Sequence, residues 1–273
     1  MNWHLRLTLC SVAALMASAQ TLPPTYINQT KFNSGQDVVP SFDGWLRNPD
    51  GTFTMVFGYM NRNYQEEPVI PAGPDNKIEP GPVDRAQPTY FLTRRHAWVF
   101  QVKVPADWGQ KELVWTITAH GRTERAYATL QMEEEIIPRL FMSRGSLSPG
   151  LDDLNQPPTI SIEPVASAIA GNAVTLTALV TDDGLPKPYR RTPSNPDRDS
   201  QPRRPQGVQI KWMEYRGPGK VTFNPEASEV VYGMPVALTS KVSFGAPGTY
   251  VLRATASDGQ LYTTRDITVT VNP

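Results

Sequence analysis

The sequence predicts an all-β protein folded as two β-sandwiches in tandem. Three observations carry that expectation. From residue 41 onward, apolar and polar residues alternate with period two in short runs, the signature of half-buried strands. Clusters of Gly, Pro, Asn and Asp separate the runs, as the turns between strands require. Proline stands at 27 of 273 residues, about twice the ordinary share of about 5%, which loops tolerate and helices do not. A chain of 273 residues is long enough for two domains of roughly 100–150 residues each.

The first 19 residues read as an export signal. Arg6 gives the short leading region its positive charge, residues 5–16 are mostly apolar, and Ala17-Ser18-Ala19 is an A-x-A cleavage site. The apolar run is shorter than the roughly 20 residues of a membrane-spanning helix, and no later stretch is apolar enough to span. Cys10 is the one cysteine and lies inside this segment, so the mature chain is expected to hold no disulfide, thiolate or Cys-based zinc site.

Residues 20–40 read as an extended lead-in and residues 41–132 as the first sandwich. Strands are expected at 41–47 and 52–60, joined by the Asn48-Pro49-Asp50-Gly51 turn, with Phe53, Met55, Phe57 and Tyr59 on one face. Residues 61–88 hold six prolines and form one long loop, with short strands near 69–70 and 77–78. Strands follow at 89–92, 97–104, 112–119 and 123–130, and residues 132–137 suit a short helix or a last strand.

Residues 133–156 read as a linker, with three consecutive glutamates, Pro138, Gly145, Pro149 and Gly150. The second sandwich spans 157–273, with strands expected at 159–163, 173–180, 208–215, 221–223, 237–244, 249–256 and 260–271. An insertion at 185–206, rich in Pro and Arg, has no apolar periodicity and reads as a solvated loop. Trp212 is the natural core residue of its strand, on the face shared with Val208, Ile210 and Glu214; Lys211, Met213 and Tyr215 fall on the other.

Residues 157–273 resemble the PKD-like group of immunoglobulin-like domains from bacterial secreted proteins. The residues that carry the resemblance are Trp212, Arg216-Gly217-Pro218-Gly219, Val221-Thr222-Phe223, the stretch 244–252, Ala256-Ser257-Asp258-Gly259 and Val269-Thr270-Val271. The resemblance implies an immunoglobulin-like fold for residues 157–273, with Trp212 between the sheets and Tyr250 as a tyrosine corner; the strand spacing of the first sandwich suits the same fold class, and its family is unassigned. It implies little about function, because such domains serve as spacers, docking modules and adhesins. The usual form has a short connection where 185–206 stands here.

The chemistry on offer is sparse. Lys plus Arg equals Asp plus Glu at 26 each, so nothing in the overall charge favours nucleic acid. No nucleophile elbow, P-loop or H-E-x-x-H zinc motif occurs, and His96 and His120 have no metal-ligand spacing. Glu66, Glu67, Asp75, Glu79 and Asp84 lie in the first long loop, where two carboxyl groups at the right distance would suit a glycan-directed enzyme. Asp152, Asp153, Asp182, Asp183 and Asp258 are hard oxygen ligands that would suit Ca²⁺. Arg190, Arg191, Arg203 and Arg204 in the insertion would attract a polyanion. Tyr64 and Tyr90 are candidate rings for stacking on a sugar; Trp45 and Tyr59 suit the core better. The reading that results is an exported, non-catalytic binding or docking protein of the envelope or extracellular space, periplasmic or secreted, with a protein or carbohydrate partner. A glycan-directed enzyme and a structural spacer are the alternatives.

Overall fold

A computed structural model describes residues 31–146, 154–165, 167–187 and 207–273. The segment read as an export signal and most of the 185–206 insertion lie outside the described residues. Fourteen strands, one 3-10 turn and one short helix are described.

The first sandwich pairs two three-stranded antiparallel sheets. One has the order β1-β2-β4, from β1 (Val38–Arg47), β2 (Phe53–Asn61) and β4 (Arg94–Val104). The other has the order β3-β5-β6, from β3 (Asn76–Glu79), β5 (Leu113–Ala119) and β6 (Arg122–Ala128). Between them lies an aromatic core. Trp115 meets Phe57 and Phe100 edge-on at ring-centroid distances of 6.0 and 4.8 Å, and Phe57 stacks on Phe100 at 5.2 Å. The indole Nε1 of Trp115 would be stranded there, and it donates instead to Asn76 Oδ1 at 2.9 Å.

The second sandwich has four strands on each sheet. One sheet runs β11-β12-β9-β7, from β7 (Thr159–Ile162), β9 (Val174–Thr181), β11 (Val221–Asn224) and β12 (Val236–Phe244). The other runs β10-β13-β14-β8, from β8 (Ala168–Ile169), β10 (Gln209–Arg216), β13 (Gly248–Ser257) and β14 (Tyr262–Asn272). In immunoglobulin lettering these sheets are D-E-B-A and C-F-G, with β8 added to the G strand in parallel. The first sandwich follows the same path, A-B-E over C-F-G, without a D strand. Both halves are therefore immunoglobulin-like. Trp212 is fully buried on strand C, and the Tyr250 hydroxyl at the start of strand F donates to the Ala246 carbonyl at 2.8 Å, a tyrosine corner. Gly217 is needed beside it, because a Cβ there would run into the Tyr250 ring and Glu214 Oε1.

Two local expectations are corrected and two are filled in. The lead-in yields to strand structure earlier than residue 41: β1 begins at Val38, and Asp37 before it is buried against Arg62 at 3.1 Å. Residues 89–92 form no strand; Thr89 and Tyr90 both turn their N–H groups to the Tyr215 carbonyl of the second sandwich, at 3.3 and 3.4 Å. Residues 132–137 split into a 3-10 turn (Met132–Glu134) and a parallel bridge from Glu135 to Trp45. The linker contains a helix, α1 (Pro138–Met142), which starts on a proline because the first helical N–H has no partner to lose.

The long loop after β2 is ordered by buried amides. Asn61 Nδ2 donates to the Glu66 and Phe91 carbonyls, at 2.8 and 3.0 Å. Asn76 Nδ2 donates to the Ile70 and Pro88 carbonyls, at 2.9 and 2.8 Å. Gln87 Nε2 donates to the Asn76 and Val83 carbonyls, at 3.1 and 2.8 Å. Each satisfies backbone that the prolines keep out of a sheet.

That loop is also the seat of the second sandwich. The Tyr215 ring joins the core of the first, with Val251 packed beside it. Its hydroxyl donates to the Ala86 carbonyl at 2.6 Å, Gly217 N–H donates to Thr89 Oγ1 at 3.2 Å, and Arg216 pairs with Asp84 at 2.6 Å. The arginine's hydrogen bond holds the Asp84 carboxyl below its usual range.

Candidate binding cleft at the junction

Where β4, the linker and β14 meet, a cavity of about 410 Å³ opens between the sandwiches. Its walls include Trp98, Phe141, Arg144, Tyr262, Arg253 and Asp266. Each wall residue is set by local structure.

Trp98 comes from a double irregularity in the first sheet. Asp43 is an extra residue in β1, between the pairs Phe42–Phe57 and Gly44–Val56. In β4, the three residues from Ala97 to Val99 face the single residue Gly58 of β2. Asp43 spans this gap: one carboxylate oxygen accepts from the Trp98 N–H at 2.7 Å and the other from Arg95 at 2.6 Å. The reach crosses the place where a Gly58 side chain would sit, since a Cβ there would strike the Asp43 carboxylate and the His96 carbonyl. The bulge turns Trp98 to φ +59°, in the left-handed region that bulky residues avoid, and aims its ring at the linker. Phe141 of α1 meets it edge-on at 5.9 Å.

Arg144 follows α1 and also has positive φ, at +50°. The turn closes as Gly145 N–H reaches the Leu140 carbonyl at 2.9 Å and Arg144 N–H reaches the Phe141 carbonyl at 3.0 Å. Its guanidinium lies 4.5 Å from the Tyr262 ring centroid. Among the described residues no carboxylate pairs with it.

Arg253 is fully engaged. It faces Asp266 directly across the β13–β14 ladder and holds it in two hydrogen bonds of 2.7 and 2.8 Å. Its third nitrogen donates to the Val99 carbonyl, and its plane lies 3.8 Å from the Tyr215 ring centroid. The carboxylate of Asp266 is thus already neutralised, and the uncompensated charge on the cleft wall is Arg144.

A smaller cavity of about 220 Å³ lies on another side of the junction, lined by Glu67, Tyr90, Glu214 and Lys220 among others. Glu214 is 2% exposed; its Oε2 accepts from the Val221 N–H at 2.8 Å, and Oε1 has no hydrogen-bond partner. Burial, with the Glu67 charge adding to it, pushes the Glu214 carboxyl up to about 8.

None of the residues singled out from sequence lines the Trp98 cleft, and Tyr90 and Glu67 line the smaller cavity. Tyr64 is 38% exposed, with the Arg94 guanidinium over its ring at 4.1 Å. Tyr90 is 4% exposed and gives its hydroxyl to Glu67 at 2.7 Å. Trp45 and Tyr59 are core residues. Arg190, Arg191, Arg203 and Arg204 lie outside the described residues. Four of the five loop carboxylates go to separate partners: Glu66 to His120 at 3.0 Å, Glu67 to Lys220 at 3.2 Å, Glu79 to Lys77 at 2.9 Å, and Asp84 to Arg216; the fifth, Asp75, lies with Glu66 and His120 on the wall of a cavity of about 560 Å³. His96 stacks on Tyr59 at 5.1 Å and its Nε2 contacts the Thr93 carbonyl.

Asp182, Asp183 and Asp258 gather at one end of the second sandwich, capping turns: Asp182 accepts from the Gly184 N–H and Asp258 from those of Gln260 and Leu261. Burial, then mutual repulsion, pushes Asp182 up to about 6, and burial raises Asp258. Among the described residues no three His, Cys, Asp or Glu side chains are grouped to hold a metal ion; Asp152 and Asp153 lie outside them.

No protein-family model matches the chain, and no curated protein matches it. Solved structures give distant likenesses. A conjugative transposon lipoprotein from Bacteroides eggerthii is 11% identical, with 41% of this chain and 96% of that one covered and a TM-score of 0.25. The fibronectin(III)-like modules of Clostridium thermocellum CbhA are 9% identical, covering 80% and 85%, with a TM-score of 0.25. Domains 4 and 5 of the S-layer protein SbsC are 11% identical, covering 87% and 98%, with a TM-score of 0.26. At these scores the likenesses carry no argument, and the immunoglobulin-like assignment rests on strand order and packing. Among the described residues no helix is long and apolar enough to cross a membrane.

Sequence reading missed Trp98, Phe141, Arg144, Tyr262 and Glu214. The signal that could have found the first is the pair Asp43-Gly44 and Gly58 inside two regular strands, since isolated glycines in strands mark bulges and close approaches.

Proposed function

We propose that this chain is an exported, non-catalytic binding protein of the cell envelope or extracellular space, and that its ligand seats in the cleft around Trp98. The observation that carries the reading is the build of that cleft. An aromatic side chain is held in a left-handed conformation by Asp43, at a junction fixed by Tyr215, Arg216 and Arg253. Strained backbone persists only where its surroundings over-determine it, and such positions cluster at binding and active sites. The cavity falls within the range of about 300–1,000 Å³ usual for small-molecule sites. Export is supported by the pattern of residues 1–19, and the PKD-like resemblance of residues 157–273 fits the same reading.

The test is a titration of the protein carrying 5-fluorotryptophan with soluble neutral and acidic cell-wall polysaccharides, followed by ¹⁹F NMR, with the Trp98 resonance assigned from Trp98→Phe. A saturable shift of Trp98 with no release of reducing ends is the expected result. Release of reducing ends would establish the enzyme alternative. Binding that leaves Trp98 unmoved and disappears on deleting residues 187–204 would move the site to the basic insertion.

A further inference from the structure

The cleft has an unbalanced charge as well as a shape. Asp266 is the acidic group among its wall residues, and Arg253 already clamps it through two hydrogen bonds. Arg144 is exposed, makes no ion pair among the described residues, and rests on the Tyr262 ring at 4.5 Å. A guanidinium stacked on one face of a ring keeps its edge donors free, and that planar fork matches a carboxylate through two parallel hydrogen bonds. Opposite charge supplied by a ligand would complete the cleft.

The other walls select what carries the carboxylate. Trp98 and Phe141 present aromatic surface, and Gln101, Thr263 and Thr264 add neutral hydrogen-bonding groups. A bare inorganic anion uses none of this, and a purely apolar acid would displace water from the amide and hydroxyls without replacing its hydrogen bonds. A sugar ring offers both an aliphatic C–H face and hydroxyls. We propose that the cleft recognises an acidic saccharide, with Arg144 pairing its carboxylate and the aromatic walls lying against the sugar ring. This rests on the binding reading above and deepens it by naming the ligand class.

The experiment compares three probes on the full chain: a uronic-acid oligosaccharide, the matching neutral oligosaccharide and inorganic phosphate. Binding is followed by the ¹⁹F resonance of Trp98 and by calorimetry. The uronate is expected to bind at least tenfold more tightly than the neutral sugar. Arg144→Gln is expected to abolish that preference while melting at the wild-type temperature, and Arg144→Lys to restore part of it. Equal affinity for both sugars overturns the acidic assignment and leaves the binding site standing. Phosphate binding as tightly as the uronate overturns the saccharide assignment. If neither sugar moves Trp98, the acidic-saccharide assignment falls, and the cleft reading is decided separately by the cell-wall polysaccharide titration. Should Arg144→Gln not fold, the wild-type ratio of acidic to neutral affinity decides alone.

Discussion

The Tyr215 hydroxyl of the second sandwich donates a 2.6 Å hydrogen bond to the Ala86 carbonyl in the long loop of the first. The ring behind that hydroxyl is buried in the first sandwich's core. A strand of one immunoglobulin-like unit thus supplies a core residue to the other, so the two are expected to melt as one.

Tyr215→Phe removes one hydrogen bond and leaves the ring, so a loss of about 1 kcal/mol is expected. Tyr215→Ala empties the site and is expected to cost roughly 3–5 kcal/mol. Differential scanning calorimetry should show one transition for the wild type and two for Tyr215→Ala. A single unshifted transition in Tyr215→Ala would contradict the coupling.

Glu214 makes stability depend on pH, with a definite sign. Its folded-state value of about 8 lies above the ordinary 4.5. Between those values the unfolded chain releases the proton and the folded chain keeps it, so stability falls as pH rises from about 4.5 to about 8, then levels off. At pH 7 the accumulated penalty is roughly 3 kcal/mol. Glu214→Gln keeps an acceptor for the Val221 N–H and cannot ionise. Urea denaturation should find this variant more stable than wild type at pH 7 and equal to it at pH 4. An equal difference at both pH values would rule out the carboxyl as the cause.

Gly58→Ala tests the bulge that aims Trp98. The added methyl would collide with the Asp43 carboxylate, which would then release the Trp98 N–H. A loss of about 2 kcal/mol is expected from the broken charged hydrogen bond, together with a shifted Trp98 ¹⁹F resonance. A resonance left in place would mean that the bulge does not depend on Asp43.

Tyr250→Phe and Gly217→Ala probe the same corner from two sides. Losing the bond to Ala246 should cost about 1 kcal/mol. Gly217→Ala should cost more, because its methyl meets both the Tyr250 ring and Glu214. Guanidinium melts of both variants give the order, and the reverse order would show that the corner yields easily.

Much of the fold was legible because its signals are local. Period-two alternation located most strands, and Trp212 and Tyr250 stand in short motifs whose geometry needs no distant partner. The cleft was illegible for a matching reason. Trp98 sits in a run that reads as regular strand, and the deviation that exposes it depends on Asp43, which lies 55 positions earlier. Tyr215 was placed on the outward face of its strand, which is correct for its own sandwich; period two cannot show that another core waits there. Proline marked residues 61–88 as loop, yet the order in that loop comes from Asn61, Asn76 and Gln87, whose long-range bonds leave no periodic trace.

The partnership of Tyr215 with Ala86 spans 129 positions. A chain that is made and threaded from its N-terminus brings out every strand of the first sandwich before this tyrosine emerges. For that interval the older half waits with a gap in its wall, completed only when the younger half arrives. An early stop after the linker would therefore give a fragment with an open flank, ready to be held by a chaperone or cut by a protease.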